Sequence, residues 1–248
     1  MKYPSFGFLF CGTTMAFLSL SLLGSSGCGK VTGQGTAEKY EELSAAVCDP
    51  SAGPFTIEID NPFFPLPPGR TIELEGDENG VQVHLTFAVT DETEEVAGVM
   101  TRVVTETSTE NGEVVEISRN FFAQAPDGTV CYFGEDVDIY EGGVVVNHEG
   151  AWKAGEGENL PGIIMPSDPR VETRFVQEIA PGIAGDVSAI IGMGETVSEP
   201  GGKFTNVLHT LEWNPVEGQT SNDGEEKFYA PGVGLIEDDV VELVSVTN

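Results

Sequence analysis

The sequence predicts an all-β protein: a single domain of long antiparallel strands in a strongly curved meander sheet or partial barrel, preceded by a short helix. Three observations carry this. Turn dipeptides recur at Asn79-Gly80, Asn111-Gly112, Asp127-Gly128 and Gly142-Gly143, and such pairs tolerate the positive φ of tight hairpin turns. Val81, Val83, Leu85, Phe87 and Val89 alternate with Gln82, His84, Thr86, Ala88 and Thr90, the period-2 pattern of a half-buried strand with His84 on its outer face. The runs between the last three turns, 113–126 and 129–141, are long against the usual strand of about 5–6 residues, and long antiparallel strands twist and coil.

Taken in order, the chain opens with Lys2, an uncharged apolar stretch from Phe6 to Leu23, and the small residues Gly24-Ser25-Ser26-Gly27 before Cys28. A charged start, a short apolar core and a small-residue exit describe an export signal over 1–27. The apolar stretch is at the lower limit of the about 20 residues needed to span a bilayer, so cleavage is expected. Residues 28–54 read as a tether carrying a short helix over 37–47, where helix formers occur without Gly or Pro. The β domain is expected over 55–248. Its first strand is placed at Phe55–Ile59 by alternation. In the run 129–141, Cys131, Phe133, Val137 and Ile139 fall on one face and Tyr132, Asp136, Asp138 and Tyr140 on the other. Residues 154–170 are broken by Gly155, Gly157, Pro161, Gly162, Pro166 and Pro169 and read as a loop with Ile163, Ile164 and Met165 as its apolar tip. Segments 171–180, 187–191, 204–213, 226–230 and 235–247 again read as extended.

Leu22-Leu23-Gly24-Ser25-Ser26-Gly27-Cys28 resembles the lipobox of bacterial lipoproteins, departing from it in having Ser25 where the pattern prefers Leu. The resemblance implies lipid attachment at Cys28 and a membrane partner through that anchor. Acyl chains bind with about 0.8 kcal/mol per buried CH2. Gly29 follows the cysteine, so no acidic residue argues for inner-membrane retention, and an outer-membrane or cell-surface location is expected. Ordinary cleavage to a soluble exported product is the competing reading. Cys11 leaves with the signal, which leaves Cys48 and Cys131 as a pair in an oxidising compartment. A disulfide is expected, with two buried thiols as the alternative.

A second resemblance extends over residues 55–247. Asn61-Pro62-Phe63-Phe64-Pro65-Leu66-Pro67-Pro68-Gly69, Tyr132-Phe133-Gly134-Glu135, Pro161-Gly162-Ile163-Ile164-Met165-Pro166 and Tyr229-Ala230-Pro231-Gly232-Val233-Gly234-Leu235 resemble landmarks of a family of exported bacterial proteins of unassigned function. The C-terminal part is similar to exported domains related in shape to lipoprotein carriers of the LolA type. This implies a curved antiparallel sheet, and it carries over no catalytic residues.

The charge balance is 11 Lys+Arg against 41 Asp+Glu, formally −30, which excludes nucleic acid as a partner because binding it needs clustered cations. The acidity reads as a solvated surface, as divalent-cation binding, or as attraction for a basic partner. Asp136 and Asp138, two apart on one strand face, are the candidate Ca2+ ligands; a solvated outer face competes. His84, His148 and His209 are isolated, without metal spacing, and no nucleophile elbow or phosphate loop occurs. No catalytic or cofactor-binding residue is assigned. The function expected is a non-enzymatic, lipid-anchored envelope protein offering a concave apolar face to a hydrophobic ligand or exported partner. The competing classes are a structural or interaction lipoprotein whose concave face is filled by its own side chains, and a carboxylate-based hydrolase.

Overall fold

A computed structural model describes residues 40–248; the expected signal over 1–27, Cys28 and the expected tether as far as residue 39 lie outside the described residues. The strands are β1 (Glu41–Glu42), β2 (Thr71–Glu78), β3 (Val81–Val96), β4 (Val99–Glu110), β5 (Glu113–Gln124), β6 (Val130–Glu141), β7 (Val144–Asn147), β8 (Trp152–Lys153), β9 (Leu160–Met165), β10 (Thr173–Val176), β11 (Glu178–Ile179), β12 (Val187–Glu199), β13 (Gly202–Trp213), β14 (Glu225–Ala230), β15 (Gly234–Asp238) and β16 (Val241–Thr247). They form one mixed sheet in the order β1-β10-β12-β13-β14-β15-β16-β2-β3-β4-β5-β6-β9-β11, with β7 and β8 on β6. Only β1–β10 is parallel. The expected all-β architecture of long strands holds: β3 has 16 residues, β12 has 13, and β4, β5, β6 and β13 have 12 each.

The hairpins close where the dipeptides stand. Asn79 and Gly80 have φ of 54° and 89°, Asn111 and Gly112 of 49° and 81°, and Gly142 and Gly143 of 56° and 77°, the doubly positive pattern whose twist matches paired strands. Ala97-Gly98, with φ of 51° and 79°, closes β3–β4 in the same way although alanine does not announce it.

Several expectations are corrected. The helix over 37–47 is absent from its described part: Glu41–Glu42 is a strand on β10, and only Ala45–Cys48 turns, as a 3-10 helix. Ser44 caps it, its hydroxyl accepting from Ala46 N at 3.3 Å. The disulfide holds Cys48 at a Cα–Cα distance of 5.5 Å from Cys131, so the segment is fixed by tertiary contact where propensity favours helix. Phe55–Ile59 makes only one bridge, Thr56 with Gln124; its apolar residues cover β6 from outside, Phe55 edge-on to Phe133 at 5.5 Å. The loop tip Ile163-Ile164-Met165 is instead part of β9, fully buried against β6.

Gly134 reverses the expected faces of β6. The ladder pairs Asn120 with Glu135 but Phe122 with Tyr132, so β6 carries an extra residue there. Gly134 has φ of 126°, and a Cβ on it would lie 2.3 Å from the Trp152 carbonyl oxygen. This bulge puts Tyr132 on the same face as Glu135, Val137 and Ile139, while Cys131 and Phe133 face the N-terminal cover.

The sheet is not closed by a ladder, yet its ends meet in the chain. β10 pairs with β12 and β11 with β9, and only Gln177 separates β10 from β11. One short segment therefore stitches both arms of the curved sheet. Gly162 permits this approach, since a Cβ there would meet the Gln177 carbonyl oxygen at 2.2 Å. Gly162→Ala is expected to lower stability by at least about 2 kcal/mol through backbone displacement, measured by urea unfolding. Removing the disulfide as Cys48→Ser/Cys131→Ser frees a closure spanning 83 positions and is expected to cost up to about 4–5 kcal/mol, read in the same assay; an unchanged midpoint would refute a stabilising role.

Candidate functional site

Residues directly opposite one another across a ladder share a face, so the registers trace the inner face around the sheet. From the seam it runs Phe175–Ser188, Ser188–Glu212, Glu212–Glu225, Thr210–Lys227 and Lys227–Asp238. It continues through Asp238–Val241, Leu243–Leu74 and Leu74–Leu85 to Leu85–Ser108 and Phe87–Glu106. Glu106–Ser118, Ser108–Glu116, Asn120–Glu135 and Glu135–Trp152 complete the circuit. The middle of this face is aliphatic. Its two arms carry carboxyl groups, and the curvature brings the arms together: Glu106 on β4 feels the charges of Lys227 and Asp238, four strands away in sheet order or more.

Lys227 is the centre of this interior. Its side chain is 0% exposed, and Nζ lies 3.2 Å from Glu212 Oε2 and 3.2 Å from Asp238 Oδ2. Gln177 Nε2 donates to the other Glu212 oxygen at 3.0 Å. Burial opposes the ammonium, but the carboxylates of Asp238, Glu212, Glu225 and Glu106 outweigh it and hold Lys227 above the ordinary lysine value. Toward the seam, Trp152 Nε1 donates to Glu178 Oε1 at 3.3 Å, and Glu178 shares a hydrogen bond with Asp186. Tyr132 OH donates to Asn120 Oδ1 at 2.5 Å.

One lysine cannot neutralise these acids, so protons do. Burial lifts Glu106 to about 8 against the partial relief of Lys227, lifts Glu225 to about 8 and carries Glu178 to about 7. Glu116 stands well above the carboxylate range through burial and the charge of Glu106, and Glu135 through burial and the charges of Glu178 and Glu116. A protonated carboxyl is a donor as well as an acceptor, which is how a filled interior accommodates Glu135, whose oxygens otherwise have no partner of good geometry. Ser108 Oγ, Ser188 Oγ and Tyr229 OH are buried beside them without a hydrogen bond of good geometry.

The motif segments meet at one end of the interior. Asn61 Nδ2 donates to the carbonyls of Gly128 and Pro166, each at 3.1 Å. Gly232 N donates to Pro62 O at 2.7 Å, and Arg70 donates to Gly232 O at 3.0 Å. This proline-rich loop lays Phe64 against Phe122 at 5.3 Å, from which aromatic contacts run through Tyr132 to Trp152. The loop is a plug.

Asp136 and Asp138 stand elsewhere. Asp136 is outside, held by Arg119 at 3.2 Å and Lys153 at 3.0 Å, with Lys153 Nζ 4.7 Å from the centre of the Phe121 ring. Asp138 pairs with His148 at 2.8 Å. Among the described residues no group of three or more His, Cys, Asp or Glu is arranged to hold a metal ion. His209 lies between Glu195 at 3.3 Å and Glu226 at 3.0 Å, stacked on Phe228.

No family model, curated protein or solved structure matches the chain.

The interior acids set the pH dependence. Carboxyls whose folded values are raised from 4.5 to about 8 keep their protons when folded and lose them when unfolded. Their contribution to stability is complete below the unfolded value and is lost as pH rises through the folded one. The thermal midpoint is expected to fall by several degrees between about pH 5 and pH 8, and Glu106→Gln, which cannot ionise, is expected to flatten that fall. A midpoint rising over the same interval would contradict the proton inventory of this interior.

Proposed function

We propose that this is a non-enzymatic envelope protein, exported and lipid-anchored through Cys28 at the outer membrane or cell surface, whose β domain is a self-filled scaffold acting through its outer face. The observation that carries this reading is the packing of the concave face. Tyr132, Tyr229, Phe175, Lys227, Leu74 and Leu85 are among its largest side chains and keep essentially no exposed surface. A side chain lining a water-sized hole keeps surface within reach of that water; these do not. The acids toward the seam add a second argument, because protonated carboxyls and an ion pair are a poor lining for an apolar ligand.

A hydrolase needs its acids at a surface that substrate can reach. Glu106, Glu116, Glu135 and Glu212 are all buried, and the plug covers one end of the space between them. The outer face is better suited to contact. Most of the acids behind the formal charge of −30 lie outside the buried cluster, and this favours a basic partner over an acidic one. β7 adds an apolar edge: Val144, Val145 and Val146 are 64%, 38% and 48% exposed, and among the described residues β7 pairs with β6 alone. The disulfide suits an oxidising compartment.

Native mass spectrometry of the full chain, purified from its own membranes, tests the reading. The expected spectrum is a polypeptide beginning at an acylated Cys28 with no second molecule held in the domain. A stoichiometric apolar molecule released on denaturation would overturn the filled-scaffold reading in favour of a carrier.

A further inference from the structure

We propose that Lys227 and Asp238 join in an intramolecular amide, formed by the folded protein without any other reactant. The two residues are directly opposite on the adjacent strands β14 and β15. Nζ lies 3.2 Å from Oδ2, with side chains 0% and 1% exposed, so nucleophile and electrophile are fixed in contact and shielded from water. Holding two groups this way corresponds to effective molarities of about 10^5–10^8 M. A third group stands at the same nitrogen: Glu212 Oε2, also at 3.2 Å, its carboxyl steadied by Gln177.

The chemistry balances. The ammonium gives one proton to the Asp238 carboxylate across their contact, leaving an amine and a carboxylic acid. The Nζ lone pair attacks Cγ, and the nitrogen of the tetrahedral adduct loses its second proton to Glu212. Glu212 passes that proton to the departing hydroxyl, the C–O bond breaks and one water leaves. An ammonium and a carboxylate become one amide and one water; nothing is oxidised or reduced. In bulk water hydration of the separated ions favours hydrolysis. Here both ions are stripped of that hydration, and a neutral amide removes the desolvation penalty of the pair. It also gives Glu212 Oε2, which lacks a hydrogen bond of good geometry, an N–H to accept. The surrounding carboxylates keep the amine form scarce, so the step is slow, but it happens once per molecule and its product accumulates.

The test uses the full-length protein, denatured, reduced and digested with trypsin. Lys227 is the sole Lys or Arg after Lys203. The expected product is one peptide, 204–248, lighter than its sequence by one water, with fragment ions linking 227 to 238. Two unmodified peptides, 204–227 and 228–248, would show that the pair is ionic only and overturn the proposal. A bond located at Glu212 would overturn the assignment to Asp238. Asp238→Asn is expected to form the same bond with loss of ammonia in place of water, and Asp238→Ala to give the two unmodified peptides. Glu212→Gln is expected to slow formation after refolding by about 10^2-fold or more, the range for a general acid–base group; an unchanged rate would remove Glu212 from the step. Because the first measurement is made on the unaltered protein, a variant that fails to fold leaves it decisive.

Discussion

The ion pair between Lys227 and its two carboxylates is the constraint on which the interior depends. A single ammonium without water forces every neighbouring acid either to pair with it or to keep a proton. Glu212 and Asp238 take the first course at 3.2 Å each; Glu106, Glu116, Glu135 and Glu178 take the second. The arrangement fixes how the arms of the sheet approach, because Lys227 lies on one arm and Glu106 on the other. A buried pair of this kind is a poor source of net stability but a strong source of specificity, since any slip of register strands a charge.

The curvature that brings the arms together is completed by backbone rather than by side chains. Thr173–Ile179 serves both ends of the sheet, Gly162 lets it approach β9, and the Asn61–Gly69 loop closes one end by binding the carbonyls of Gly128 and Pro166 and the amide of Gly232. Segments far apart in the chain thus have one structural purpose, and the aromatic column from Phe64 to Trp152 is the boundary between that plug and the acids.

The hairpins were readable because their turns are written in local chemistry: Asn-Gly and Gly-Gly adopt positive φ with little strain, wherever the rest of the chain goes. The disulfide was readable from the cysteine count and the compartment that the N-terminal pattern leads one to expect. The phase of β6 was not, since one glycine at 134 flips every later side chain and only the close approach of Trp152 reveals why. The strand at 160–165 was hidden by Pro161 and Gly162, residues that argue against a strand; β9 nonetheless lies between β6 and β11, and Gly162 is the residue whose missing side chain lets the Gln177 carbonyl approach. The inner acids were hidden most deeply. Acids are nearly always solvated, and nothing local marks Glu135 as different from Glu113. The one signal present was Lys227 itself, a rare cation in strand phase with Tyr229 and preceded by Glu225 and Glu226, whose partners lie on other strands.

The disulfide has a mechanical side. Cys48 stands near the described N-terminus and Cys131 in β6, 83 positions further along the chain. Tension applied to the chain ahead of Glu41 passes through sulfur into β6, a long strand flanked by β5 and β9. The load therefore bypasses β2 to β5 instead of peeling them off in sequence. A domain wired in this way resists traction as a block, and its first element to yield under force is the two-residue strand β1.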